Sequence, residues 1–240
     1  MPDADPDRGA ERERDRISRV YGEYHEGGRR ARWDDAQPGN RAMLAERDDV
    51  LRSLLRSVGP QAPTTVLDVG CGNGDALARF VAGPALGGHQ PHRAIGVDLL
   101  RERLGAARDA YGPKVATADA TALPFADGSI DLVLCFTVLS SVSVDAVRRA
   151  IAADITRVLA PGGAVAWYDM RRPSPGNREV SPIGELALRA LFPGLDGPAR
   201  TLTLLPPLAR RLGRRTDRLY PAFARVPALR THLAAVLAKP

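Results

Sequence analysis

The chain has 240 residues, 44% of them hydrophobic and 26% charged, with a formal net charge of +6. That length suits one domain, or one domain with a cap, and is enough to bury a large core. Two cysteines, Cys71 and Cys135, build neither a disulfide framework nor a four-ligand zinc site, and no His/Cys/carboxylate cluster has the spacing of a metal site, so no metal is expected. No apolar run reaches the roughly 18 residues of a membrane span, and the first residues lack a signal-peptide core, so a cytoplasmic protein is expected. Positive charge is nearly all arginine and reads as spread over the sequence, without an aromatic-interleaved basic stripe. Nucleic acid is therefore not an expected partner.

Residues 1–16 alternate acidic and basic groups with almost nothing apolar to bury, which predicts a disordered or frayed tail. A polar, aromatic-dotted stretch follows over 17–33 and is broken by Gly27-Gly28. Over 41–57, Met43, Leu44, Val50, Leu51, Leu54 and Leu55 recur at helical spacing, so an amphipathic helix is predicted there, ended by Gly59-Pro60. The pattern then switches. TVLDVG (65–70), RAIGVDL (93–99), KVATAD (114–119), IDLVLCF (130–136) and AVAWYDM (164–170) are short apolar or β-branched runs, as strands covered on both faces must be. Between them 75–82, 101–112 and 144–163 read as helices. Strand and helix alternate, which predicts a parallel, doubly wound α/β sheet with right-handed crossovers. A helix over 181–194 leads to two last apolar runs, 200–206 and 229–239, which suit a hairpin-like pair closing the sheet edge.

The most informative stretch is Val66-Leu67-Asp68-Val69-Gly70-Cys71-Gly72-Asn73-Gly74. A buried strand ends in alternating glycines and opens a helix at the carboxyl edge, where ligands of such sheets bind. Glycines there permit positive φ and close approach of a ligand to the backbone. The third glycine of a dinucleotide fingerprint comes one residue early, Asp75 stands in its place, and no P-loop lysine is present. Asp68 lies inside the end of the first strand, Asp98 closes the second and Asp119 closes the third, so three strands deliver carboxylates to one edge. An acceptor-only carboxylate at Asp98 suits the two hydroxyls of a ribose.

VLDVGCGNGDAL, IGVDLL, TADATALPFADGSIDLVLCFTVLSSV and LAPGGAVAWYD resemble the successive motifs of class I S-adenosylmethionine-dependent methyltransferases, in the small-molecule branch of the ubiquinone/menaquinone-biosynthesis enzymes. The resemblance covers residues 64–170. It implies S-adenosyl-L-methionine as cofactor and a Rossmann-like seven-stranded sheet of order 3-2-1-4-5-7-6 with an antiparallel seventh strand, which residues 229–239 suit. It further implies that Gly70, Cys71, Gly72 and Gly74 surround the methionine part, with Asp68 near the aminocarboxypropyl end. Asp98 and Leu99 would then meet the ribose and Asp119 and Ala120 the adenine, while Cys135 and Phe136 pass beside the cofactor. Residues 1–60 become a tail and helical cap or lid, and 61–240 the core, with an insertion at about 171–228 over the acceptor.

Methyl transfer is an in-line displacement helped, for a hydroxyl acceptor, by a general base. His25, on the cap segment, and Asp169, at the end of the fifth strand, are the two candidates, and Tyr21, Tyr24 and Trp33 are placed either to stack on the cofactor or to pack the cap down. His89 and His92 read as exposed loop residues and His232 as structural or exposed. Arg171 and Arg172, with Arg29, Arg30 and Arg32, are placed to frame an anionic acceptor. The Leu- and Arg-rich segment 202–230 reads as a cover over the acceptor pocket or as a surface resting on a membrane with a lipid-linked acceptor; its prolines argue against one long interfacial helix, so membrane contact is not the expectation. The expected activity is O-methylation of a sugar, nucleoside or other secondary metabolite by a monomer or homodimer. Alternatives are C-methylation of a quinone-like ring or lipid-linked acceptor, and a non-catalytic partner protein that binds the cofactor.

Overall fold

A computed structural model describes residues 6–26, 36–82, 86, 90–105, 108, 114–173 and 179–240, with the side chains of 6–8, 23–26 and 82 excepted. Seven strands, β1 (Thr65–Val69), β2 (Arg93–Asp98), β3 (Val115–Thr117), β4 (Ile130–Phe136), β5 (Leu159–Met170), β6 (Ala199–Leu204) and β7 (Arg230–Ala238), form one sheet of order β3-β2-β1-β4-β5-β7-β6. β1 to β5 pair in parallel, and β7 runs antiparallel between β5 and β6. This is the doubly wound α/β sheet, in the strand order that the motifs imply.

Both faces of the sheet are covered, which explains why the strands are apolar throughout. On one face α4 (Asp145–Val158) and α5 (Glu185–Leu191) bury Ile151, Ile155 and Leu188 against Val133, Val165 and Trp167. On the other, α2 (Pro38–Val58) and α3 (Asp75–Ala82) bury Leu51, Leu54, Leu77 and Phe80 against Val66, Leu132, Leu134 and Val236. α2 starts at Pro38, with the Gln37 side chain accepting from the Asn40 amide at 2.9 Å, and ends where the Gly59 amide donates to the Leu55 carbonyl. Its Met43, Arg47, Leu51, Leu54 and Leu55 recur every three to four residues and are all buried.

Two expectations change. Residues 6–16 are not a frayed tail: α1 runs Pro6–Glu26, and the partners that hold it lie on the core. The helix expected over 144–163 stops at Val158, because the Pro161-Gly162-Gly163 turn belongs to β5, where it bulges the pairing with β4 between Ile130 and Leu132. A Cβ on Gly163 would lie 2.9–3.0 Å from the Ala160 and Asp131 carbonyl oxygens, so the bulge requires glycine. Of the helix expected over 101–112, a 3-10 turn at Arg101–Arg103 and residues 104–105 and 108 are described. Among the described residues no helix is long and apolar enough to cross a membrane.

Candidate active site

The turn after β1 is built as its spacing demands. Gly70, Gly72 and Gly74 hold φ of +73°, +54° and +81°, which disfavour any side chain. The Gly70 and Cys71 amides both donate to the Val97 carbonyl, at 2.8 and 2.9 Å, pinning the turn to β2. Cys71 packs its sulfur on Gly96 of β2, where a Cβ would come within 2.7 Å of it. Burial raises both the Cys71 and the Cys135 thiols, and both are free.

The three strand-end carboxylates share this edge but differ in environment. Asp98, 5% exposed, accepts from the Gly72 amide (2.8 Å) and the Leu100 amide (2.9 Å). Arg103, one turn further on, approaches it at 3.5 Å, packs its guanidinium on Gly72 and stacks 5.6 Å above the Tyr21 ring. Asp119 lies beyond β3 and accepts from the Thr121 amide and hydroxyl and from Arg14 Nε at 2.5 Å. Burial works to raise its pKa, but these donors hold it below the ordinary carboxylate range. Asp68 is the odd one. It is 2% exposed, and its Oδ2 is buried without a hydrogen-bond partner. Burial pushes its pKa up to about 7, opposed by the nearby Arg47 guanidinium and aided by the charge of Asp98.

Above this edge lies α1. Glu13, 3% exposed, accepts from the Ser143 amide (2.5 Å) and hydroxyl (2.7 Å), and Arg16 donates both to Glu13 and to the Ser141 carbonyl. Tyr21 meets the Ser141 hydroxyl. With the Arg14–Asp119 pair, these contacts strap α1 across the loops that follow β3 and β4. None of Glu13, Arg14 or Arg16 is conspicuous in the sequence, since each is one charge among many.

Asp169 is fully buried. Its Oδ2 accepts from the Ser140 amide at 2.9 Å and its Oδ1 from the Met170 amide at 2.8 Å, while burial pushes its pKa to about 6 against those bonds. Phe136 turns to the α2 face, where Arg47 stacks 5.0 Å over it and 5.8 Å over Tyr168, and Cys135 faces the opposite core. His232 is neither exposed nor on an edge strand. It lies in β7 opposite Met170, 4% exposed and stacked 4.8 Å from Tyr168, and burial lowers its pKa to about 3. Thr137, at φ +57°, ends β4 in a left-handed conformation and donates its amide to the Tyr168 carbonyl at 2.7 Å. Leu99 and Ala120 sit half-buried at the same edge, and His92 is exposed. The side chains of Tyr24 and His25, and residues 29, 30, 32, 33 and 89, lie outside the described residues.

Residues 67–167, from β1 to β5, match the family model described as methyltransferase domain. This is a class I S-adenosylmethionine-dependent methyltransferase domain. The malonyl-[acyl-carrier protein] O-methyltransferase of Erwinia pyrifoliae is 33% identical over 175 residues, 64% of this chain and 61% of that one. The human thiol S-methyltransferase TMT1A is 28% identical over 130 residues, 54% of this chain and 52% of that one. In fold, the domain resembles the N-methyltransferase NodS of Bradyrhizobium japonicum in complex with S-adenosyl-L-homocysteine, with a TM-score of 0.59 and 18% identity over 86% of this chain and 90% of that one. The chain spans 49–61% of the length of the curated relatives it matches. The cofactor of the methyltransferase domain is S-adenosyl-L-methionine. The unpaired, buried oxygen of Asp68 beside a left-handed glycine turn fits it, because an acceptor-only carboxylate there lacks the cationic donor that an α-amino group supplies.

Proposed function

We propose that the chain transfers a methyl group from S-adenosyl-L-methionine to a hydroxyl oxygen of a small molecule. When bound, the cofactor supplies an electrophilic sulfonium methyl. Gly70, Cys71, Gly72 and Gly74 would lie along its methionine part and Asp68 would take its ammonium group. Asp98 and Leu99 would meet the ribose, and Asp119 and Ala120 the adenine. The backbone ends of Cys135 and Phe136 would lie beside it, with Tyr24 over it. The observation that carries this is the meeting of Asp68, the glycine turn, Asp98 and Asp119 at one sheet edge, beneath a helix strapped across it. Oxygen as acceptor draws on the O-methyltransferase among the relatives, though nitrogen and thiol enzymes share the domain.

Proton removal falls to His25, in the last turn of α1. Asp169 is withdrawn from that role, because both of its oxygens are spent on amides and it is enclosed by the loop after β4. It holds that loop instead. Isothermal titration of the full chain with S-adenosyl-L-methionine, followed by assay of a panel of sugars, nucleosides and phenols for release of the demethylated cofactor, tests the reading. Expected are binding that Asp98→Ala weakens and turnover of a hydroxylated acceptor that His25→Asn slows with little change in cofactor affinity. Turnover of amines or thiols alone would overturn the oxygen assignment, and full activity of His25→Asn would leave positioning alone as the mechanism.

A further inference from the structure

Counted by segment, the net positive charge of this chain is concentrated and not dispersed. Residues 206–230 hold seven arginines and one carboxylate, Asp217, an excess equal to the whole chain's +6. Summed over the rest of the chain, cationic and anionic residues cancel. The structure folds this stretch into α6 (Pro206–Arg211), a 3-10 turn, α7 (Thr216–Ala224) and a second 3-10 turn (Pro227–Leu229). Arg211, Arg214, Arg215, Arg218 and Arg225 are all exposed there, and among the described residues none of them makes an ion pair.

Apolar groups surface on the same stretch. Phe223 is 37% and Val226 43% exposed, with Pro221, Pro227 and Ala228 exposed around them. The ridge is braced from below. Arg230 Nε donates to the Ala224 carbonyl at 2.6 Å, and Arg172 Nη1 donates to the Ala228 carbonyl at 3.0 Å, which sets another exposed guanidinium against it. Its position bears on function. The ridge runs straight into β7, whose His232 pairs with Met170 at the carboxyl end of β5, so it borders the sheet edge that carries the strand-end carboxylates.

We propose that this ridge docks the protein on an anionic lipid bilayer, with the arginines among the headgroup phosphates and Phe223 and Val226 at the boundary with the acyl chains. Unpaired arginines beside exposed apolar side chains complement such a surface on both counts. A single-stranded nucleic acid would ask for aromatic platforms along a basic groove. Here Phe223 is the one exposed aromatic of the segment, and Val226, Pro227 and Ala228 offer a base nothing to stack on. The prolines that argue against one long interfacial helix instead shape short elements: Pro206 opens α6 and Pro227 the last turn.

Co-sedimentation of the full chain with phosphatidylcholine vesicles, with and without about 30% phosphatidylglycerol, tests the proposal, and roughly tenfold stronger binding to the anionic vesicles is expected. Added salt should weaken it. Arg214→Glu with Arg218→Glu should remove most of that tenfold preference, bringing binding to the anionic vesicles down towards the level of the neutral ones. Arg214→Lys with Arg218→Lys should keep it, and Phe223→Ser should lower the part that survives high salt. Cofactor titration and thermal melts of the same variants should match the unmodified chain, which separates this question from the catalytic one. Equal binding to neutral and anionic vesicles, binding indifferent to the Glu substitutions, or displacement from vesicles by single-stranded RNA would each overturn it.

Discussion

Asp68 and Arg103 show how single side chains set the behaviour of the cofactor edge. A buried carboxylate with an unpaired oxygen is costly in its charged form, which is why its pKa climbs to about 7. A folded-state pKa above the unfolded one means that the native protein holds this proton longer. The Asp68 contribution therefore destabilises progressively as pH rises from the ordinary carboxylate range through about 7. A cationic ligand favours the ionised form, so cofactor affinity should rise roughly tenfold between about pH 6 and about pH 8, while Asp68→Asn binds weakly and without that slope. Titration calorimetry at several pH values checks both. Arg103 sits on Gly72 and beside Asp98, where the ribose hydroxyls are proposed to bind. Arg103→Met should tighten cofactor binding a few-fold by removing this internal competitor, the modest size reflecting a partly exposed pair. Weaker binding would make Arg103 a direct ligand instead. Asp98 and Asp119 could be read from sequence because strand ends fix them in space. Arg103 and Arg47 could not, since their roles depend on where a long side chain reaches once the helices are in place.

Among the elements, α1 departs furthest from expectation. Its charged N-terminal half has too little apolar surface to predict folding, and its stability comes from polar partners over a hundred residues away. No local pattern encodes such contacts, whereas the strands announce themselves by apolar runs. Burial alone would raise the Glu13 pKa, but Arg16 and Ser143 bring it down to about 2. A depressed pKa gives stability that is complete above the ordinary glutamate value and is lost as pH falls from there towards 2. Glu13→Gln should thus loosen α1 at neutral pH by about 1–3 kcal/mol, seen as faster amide exchange in α1 and in residues 137–143, with the rest of the sheet unchanged. Unaltered exchange would mean that Tyr21 and Arg14 hold the helix without it. β7 carries a similar lesson. Its apolar run is plain in the sequence, but its place inside the sheet follows from motif resemblance and not from periodicity, so His232 reads as an edge residue while it is in fact enclosed.

For the molecule as a whole, the strands and the glycine turn were legible because they rest on backbone periodicity and on conformations that favour glycine, whereas the sheet order followed from the resemblance of the motifs. The acceptor side was not, since residues 171–230 follow no motif of the matched domain. If the cofactor binds the folded chain alone, the demethylated cofactor at about 100 times its dissociation constant adds about 2.7 kcal/mol of stability. For a chain of this size that raises the melting temperature by about 5–10 °C. Differential scanning fluorimetry reads this directly, and an unmoved midpoint would contradict the proposed site. The antiparallel β7 also bears on biosynthesis. It is translated after β6 yet must slot between β6 and β5, so β6 has no strand partner and β5 keeps one open edge until residues 230–238 have cleared the ribosome. A nascent chain arrested before that point would display two naked strand borders, an invitation to chaperones and to neighbours on the same polysome.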